Sequence, residues 1–375
     1  MERRNTRWRL VGLLCAVTVV WALVGCKPIE SVPPTDPPLA VPPSLTPTPR
    51  PTPSPAPTPV PTPTPTPPPA HLNPLTGLAV DPAYETRRPA AVMLNNLKKA
   101  LPMYGVTQAD ILYEALAEGG ITRLVGVYQD PSQVPQIGTV RSTRAYYLDI
   151  AQGHDAVLLH AGGSPEAYTE IKARGVTNMD CLGGYENTLY WRDQQRIKER
   201  GLEHSAFTSG ARIVTAFEKL SRPDHEDSWQ ETLLFADDGT PAGGTSAKTL
   251  RVFFSSYKTG LFEYDAATGL YAVSEYGAPF VDGQNDAQIQ VTNVLTLYAE
   301  VNQIKGDSAG RLSTKLVGGG TGSFACGGQI VPIKWSKAAY AKPFVYTLED
   351  GTPLALGRGR SYINIVPLNT KVETE

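Results

Sequence analysis

The sequence predicts an α+β protein, in which an N-terminal mixed α/β domain is followed by a C-terminal, mainly antiparallel β domain. Three observations predict it. From Asn73 to residue 222, short apolar runs alternate with helix-like spacings, the pattern of strands and helices in turn. From residue 249 to 368, β-rich runs such as LRVFFSSY, LYAVSEY and SYINIVP are parted by Gly and Asp-Gly turns. Between them, residues 223–248 mix Pro, Asp, Gly and Ser, including PDHED, and read as a linker in which His225 is solvated; residues 369–375 read as a tail. At 375 residues, two folded domains plus accessory segments are expected.

The accessory segments lie first. Arg3, Arg4, Arg7 and Arg9 precede an uncharged run from Leu10 to Val24, which at 15 residues has the length of a signal-peptide core and falls short of a membrane span. Leu23-Val24-Gly25-Cys26 follows and resembles a bacterial lipobox. The expectation is a signal peptide over 1–25, cleaved before a Cys26 whose thiol carries diacylglycerol. That anchor would hold the protein to the cell membrane on its extracytoplasmic side, the membrane being its first partner. Residues 26–72 then form a spacer: Pro28 to Pro69 holds 20 of the chain's 34 prolines. Extended polyproline at ~3.1 Å per residue would carry the folded domains on the order of 100 Å from the bilayer.

In the first domain, AAVMLNN reads as an early strand. Thr107-Gln108-Ala109-Asp110 matches a capping box and predicts a helix to Glu118, stopped by Gly119-Gly120, before a strand over Ile121 to Tyr128. Ser142 predicts the cap of a helix running through Gln152, Ala156 to His160 a buried strand, and Ser164-Pro165 the start of another helix. Two helix beginnings would then face one rim, with their free N–H groups and partial positive charge beside Arg141 and Arg144. The rim is expected to bind a carboxylate, phosphate or similar anion through Arg141, Ser142, Arg144, His160, Gly162, Gly163 and Ser164. The opposing expectation is that both arginines pair with protein carboxylates.

Signals for catalysis are weak. Asp110, Glu114 and Glu118 would share one side of the predicted helix, where Glu114 and Glu118 are candidate acid and base but also candidate partners for Arg123. His160 and His204 are the histidines best placed to serve a site, yet no spacing joins them to each other or to Ser164. Gly162-Gly163-Ser164-Pro165-Glu166 lacks the last glycine of a nucleophile elbow. The run Gly318-Gly319-Gly320-Thr321-Gly322 lacks the Lys-Ser/Thr ending of a phosphate loop and reads as a hairpin loop. Cys181 and Cys326 read as inert buried thiols, with a bridge between the domains as the alternative. No metal spacing or cofactor motif occurs. The net charge of −2 becomes −5 once the +3 leader is removed, which offers no basic face for nucleic acid.

Taken in order, RPAAVMLNN, GVTQADILYEALAEGGITRLVGVYQD, IGTVRSTRAYYLDIA, DAVLLHAGGSPEAY, FEYDAATGLYAV, GGQIVPIKWSK and DGTPLALGRGRSYINIV resemble the YerB-like lipoproteins over residues 73 to 368. The resemblance implies an N-terminal mixed α/β domain (73–222) and a C-terminal β-rich domain (249–368) of unassigned biochemical role. The family's Arg-Ser-x-Arg segment falls on Arg141, Ser142 and Arg144, its His-Ala-Gly-Gly-Ser segment on His160 to Ser164, and its Glu-Gly-Gly segment on Glu118 to Gly120. Its Pro-His pair is replaced by Glu203-His204. The expectation is a non-enzymatic envelope protein that binds a protein or a peptidoglycan-related ligand. An envelope hydrolase or transferase acting on peptidoglycan or peptides is the alternative.

Overall fold

The computed structural model describes residues 71–375. The expected signal peptide, the Cys26 lipobox and the spacer up to residue 70 lie outside the described residues. The N-terminal half gives strands β1 (Ala90–Asn95), β2 (Ile111–Leu116) and β3 (Thr122–Tyr128), helix α1 (Ala145–Gly153), strand β4 (Val157–His160), helix α2 (Pro165–Arg174) and strand β5 (Asn178–Asp180). The C-terminal half opens with β6 (Thr249–Phe253), β7 (Thr259–Asp265) and β8 (Leu270–Glu275) and continues with β9 (Asn293–Gln303), β10 (Gly318–Cys326), β11 (Gln329–Lys337) and β12 (Ser361–Pro367).

One 12-stranded mixed sheet takes strands from both halves, with the order β11-β10-β9-β12-β2-β3-β1-β4-β5 along its middle. β12 is the joint. It lies parallel to β2 on one side, with Tyr362 beside Leu112, and parallel to β9 on the other, with Ile363 beside Leu295. A six-stranded antiparallel sheet built around β8-β7-β6 covers one face of this region. On that face Val92, Leu94, Leu112 and Leu124 pack with Leu250, Val252, Phe262 and Val273. On the other face Met93, Tyr113, Val125 and Leu158 pack with Tyr147, Leu148, Ile150 and Ala151 of α1. The fold is therefore α+β, with a mixed N-terminal sheet region and an antiparallel C-terminal sheet, as the sequence predicts.

Three local expectations give way. The segment Asp110 to Glu118 contains strand β2 in place of a helix, and all six of its strand residues are buried. A strand covered on both faces loses its polar/apolar alternation, so Ile111, Leu112, Ala115 and Leu116 match a helical spacing just as well. The capping residue is otherwise employed: Asp110 accepts from the Gln129 amide at 2.6 Å and from Asn73 Nδ2 at 2.9 Å. The glycine run at 318–322 lies inside β10, not in a hairpin loop. A side chain at Gly320 would meet Tyr298 O at 2.7 Å and Trp335 Nε1 at 2.8 Å, so neighbouring strand and indole take the space. His225 is held between Asp155, 3.0 Å from Nδ1, and the stacked ring of Trp229, instead of being solvated.

Candidate functional site

The site grows from the β2–β3 connection. Gly119 and Gly120 sit at φ 68° and 76°, and this left-handed turn leaves Glu118 at the end of the sheet. In β3, Leu124 faces the second sheet, so its neighbour Arg123 points to the α1 side. Arg123 donates to Ser142 O at 2.8 Å and to Glu118 Oε1 at 2.9 Å. Arg144, the residue that precedes α1, reaches the same carboxylate, with Nε 3.1 Å from Oε2 and Nη2 on Oε1. Burial pulls the Glu118 carboxyl upward, but the two guanidinium groups outweigh it and hold the group down at about 2. Glu118 is thus a fixed anion at neutral pH, unsuited to deliver a proton.

Arg141 differs from both. Its backbone is pinned, with N donating to Met93 O at 2.9 Å and O accepting from the Ala161 amide at 3.0 Å, so the segment is seated between the ends of β1 and β4. Its half-buried guanidinium donates no hydrogen bond and forms no ion pair among the described residues. Burial and the like charge of Arg123 lower its pKa to about 10, which still leaves it charged, with Glu203 the largest opposing attraction. Three guanidinium groups against one carboxylate, +3 and −1, leave the cluster at +2. Beside it His204 is 1 % exposed, its Nδ1 2.9 Å from Asn95 Nδ2, and its pKa is lowered by burial and by Arg141.

The remaining predicted ligand residues are largely committed to the fold. Ser164 caps α2 as expected, accepting from the Ala167 amide at 3.1 Å. Ser142 caps nothing, because Arg144 occupies the N-cap position of α1, and its hydroxyl donates to Ala161 O at 2.9 Å. The Gly162 amide is taken by Asp180 Oδ1 at 2.8 Å, and Gly163 pairs with Thr143 in a short bridge. His160 Nδ1 lies 2.9 Å from Gly162 O and Nε2 lies 3.1 Å from Asn178 Oδ1, which closes the ring off from Ser164. The two helix beginnings do border one groove of 470 Å³, along with Arg311 and Lys315 from the C-terminal half. Its cations are paired: Arg144 with Glu118, Arg311 with Asp307 at 2.9 Å, Lys315 with Glu300 at 3.4 Å. The open charge is on Arg141.

Glu114, the other acidic candidate, belongs to a separate cluster. Lying between Leu112 and Leu116, it points into the space between the sheets, where Asn96 Nδ2, Thr122 Oγ1 and Tyr362 OH donate to it at 2.9, 2.6 and 2.5 Å. Lys258 Nζ lies 3.2 Å from Glu114 and also pairs with Glu275, all three side chains being 0–1 % exposed. Burial and the Glu114 charge outweigh Lys258 and raise Glu275 to about 7. Sequence reading missed Lys258 and Glu275, although a lone glutamate inside the apolar run ILYEAL signals a buried partner. Cys181 and Cys326 are free buried thiols, each pushed up to about 11 by burial. Among the described residues no cluster suits a metal ion and no helix is long and apolar enough to cross a membrane.

Two family models match, each described as a protein of unknown function (DUF3048): the N-terminal domain over residues 75–223 and the C-terminal domain over 250–363. A Bacillus subtilis protein, YerB, named as a candidate lipoprotein, is 31% identical over 299 residues, covering 78% of this chain and 86% of its own. The crystal structure of Bacillus subtilis YerB superposes with a TM-score of 0.70 at 29% identity, covering 81% of this chain and 99% of that one.

Proposed function

The chain belongs to the DUF3048 family of YerB-like proteins, and from that premise we propose that it is a lipid-anchored envelope protein that binds an anionic ligand at the Arg141 cluster. The observation that carries the binding reading is the half-buried Arg141 guanidinium, which lacks a protein partner among the described residues in a cluster of charge +2. A buried charge without a counter-ion is costly, and a ligand oxygen would relieve that cost. Binding is favoured over turnover because Glu114 is walled in, Glu118 is held ionised and His160 is saturated by structural partners. A protein of the envelope or a peptidoglycan-related fragment is the partner class that fits an extracytoplasmic location.

The test is calorimetric titration of the full-length protein with acetate and with inorganic phosphate. Arg141→Gln is expected to abolish binding while the melting temperature stays put; equal binding by parent and variant overturns the reading. Anchoring is supported by the lipobox and by the relative's name. It rests on Cys26, since two or more acyl chains anchor far more firmly than one. Cys26→Ala is expected to eliminate palmitate labelling and leave the precursor uncut, and unchanged labelling would refute the anchor.

A further inference from the structure

Resting on the anion reading above, we infer that the Arg141 site is built for a carboxylate and that Glu203 is its internal stand-in, displaced when ligand arrives. The turn Leu202–His204 places Glu203 and His204 side by side at the edge of the cluster. Asn95 fixes the imidazole: its Oδ1 accepts from the Leu97 amide at 3.1 Å, so its Nδ2 must donate to His204 Nδ1. The ring proton therefore sits on Nε2, which faces Glu203 Oε1 at 3.5 Å. That separation exceeds a formed hydrogen bond, so the carboxylate rests near its donor without being locked to it.

The backbone makes room for this arrangement. Gly201 lies at φ 105°, and a Cβ there would sit 3.0 Å from Glu203 Oε2, so any larger residue would press on the carboxylate. Glu203 itself has a side chain 51% exposed, free to swing into solvent, whereas His204 is fixed at 1%. The Glu203 pKa is lowered by a backbone hydrogen bond and, further down, by His204 and Arg141, the two donors that a ligand would also use. One guanidinium fork and one imidazole N–H match the two oxygens of a planar monoanion.

The experiment is calorimetry on the full-length protein with acetyl-Ala-Ala, its C-terminal amide and inorganic phosphate, comparing the parent with Glu203→Gln and Arg141→Gln. The free carboxylate is expected to bind and the amide not to bind. Glu203→Gln should tighten carboxylate binding about fivefold, the scale of one exposed charge contact, and Arg141→Gln should abolish it. Unchanged or weaker binding in Glu203→Gln, with Arg141→Gln still null, overturns the stand-in and leaves the anion site intact. Tighter binding of phosphate than of carboxylate overturns the ligand class. Failure of every probe on both the parent and Glu203→Gln removes the anion site itself, and this inference with it.

Discussion

Strand β2 and the turn after it carry two glutamates four residues apart, and each organises a charge cluster of opposite character. Glu114 meets one ammonium and a second carboxylate in a space closed to water, whereas Glu118 meets two guanidinium groups at the sheet's end with a third, Arg141, left over. The first cluster would carry −1 if every group were ionised, and the raised pKa of Glu275, at about 7, lets it take up a proton and so move toward neutrality. The second holds +2 and has no such recourse, because an arginine does not give up its proton at physiological pH. A buried excess of carboxylate is settled internally by protonation. A half-buried excess of guanidinium calls for an anion, for which the exposed Glu203 stands in until one arrives from outside.

The largest break in this comparison is Lys258→Met. Removing the ammonium leaves Glu114 and Glu275 facing each other without a counter-ion, at a cost of about 3–5 kcal/mol. Urea unfolding of the variant at neutral pH should show it, and a loss under 1 kcal/mol would mean that the tyrosine and amide donors alone neutralise the pair.

Glu275→Gln is the next largest. The folded pKa is raised, so the stabilising contribution is complete below the unfolded carboxyl value near 4.5 and is lost as pH rises through about 7. The parent should therefore weaken, on the order of 3 kcal/mol at most, between pH 4.5 and 7. Glutamine imitates the neutral acid, so the variant's melting temperature should be flatter across that window and higher than the parent's at pH 8. A parallel pair of pH profiles would place the retained proton elsewhere.

How far these regions are legible in the sequence follows from how local their causes are. The Ser164 cap, the Pro165 start of α2 and the alternating runs of β7 and β8 depend on neighbours in the chain, and they fold as read. β2 was illegible because its identity depends on β3 and β12, which pair with its two edges, and on the second sheet and α1, which bury its two faces. Arg141 and Arg144 look alike in Arg-Ser-Thr-Arg. Only the approach of Glu118 through a glycine turn pairs one and leaves the other open. The partners of Glu114 lie in the other half of the chain, so the sequence shows the anomaly of a charge in an apolar run and not its resolution.

The smallest effect on stability belongs to Arg141, and its sign is the sharpest point of the contrast. Lys258 is needed because its removal strands charge; Arg141 is itself the stranded charge. Arg141→Gln removes a repulsion with Arg123 and gives up no ion pair, so the change should lie within about 0.5 kcal/mol, on the stabilising side if it is resolved. Urea unfolding of the variant in a buffer free of carboxylates and phosphate measures this, since a bound anion would stabilise the parent alone by mass action. Adding acetate should then raise the parent's midpoint and leave the variant's unchanged. A destabilisation of 2 kcal/mol or more without any anion would mean that Arg141 is an internal structural residue like Lys258, and the two clusters would no longer differ in kind.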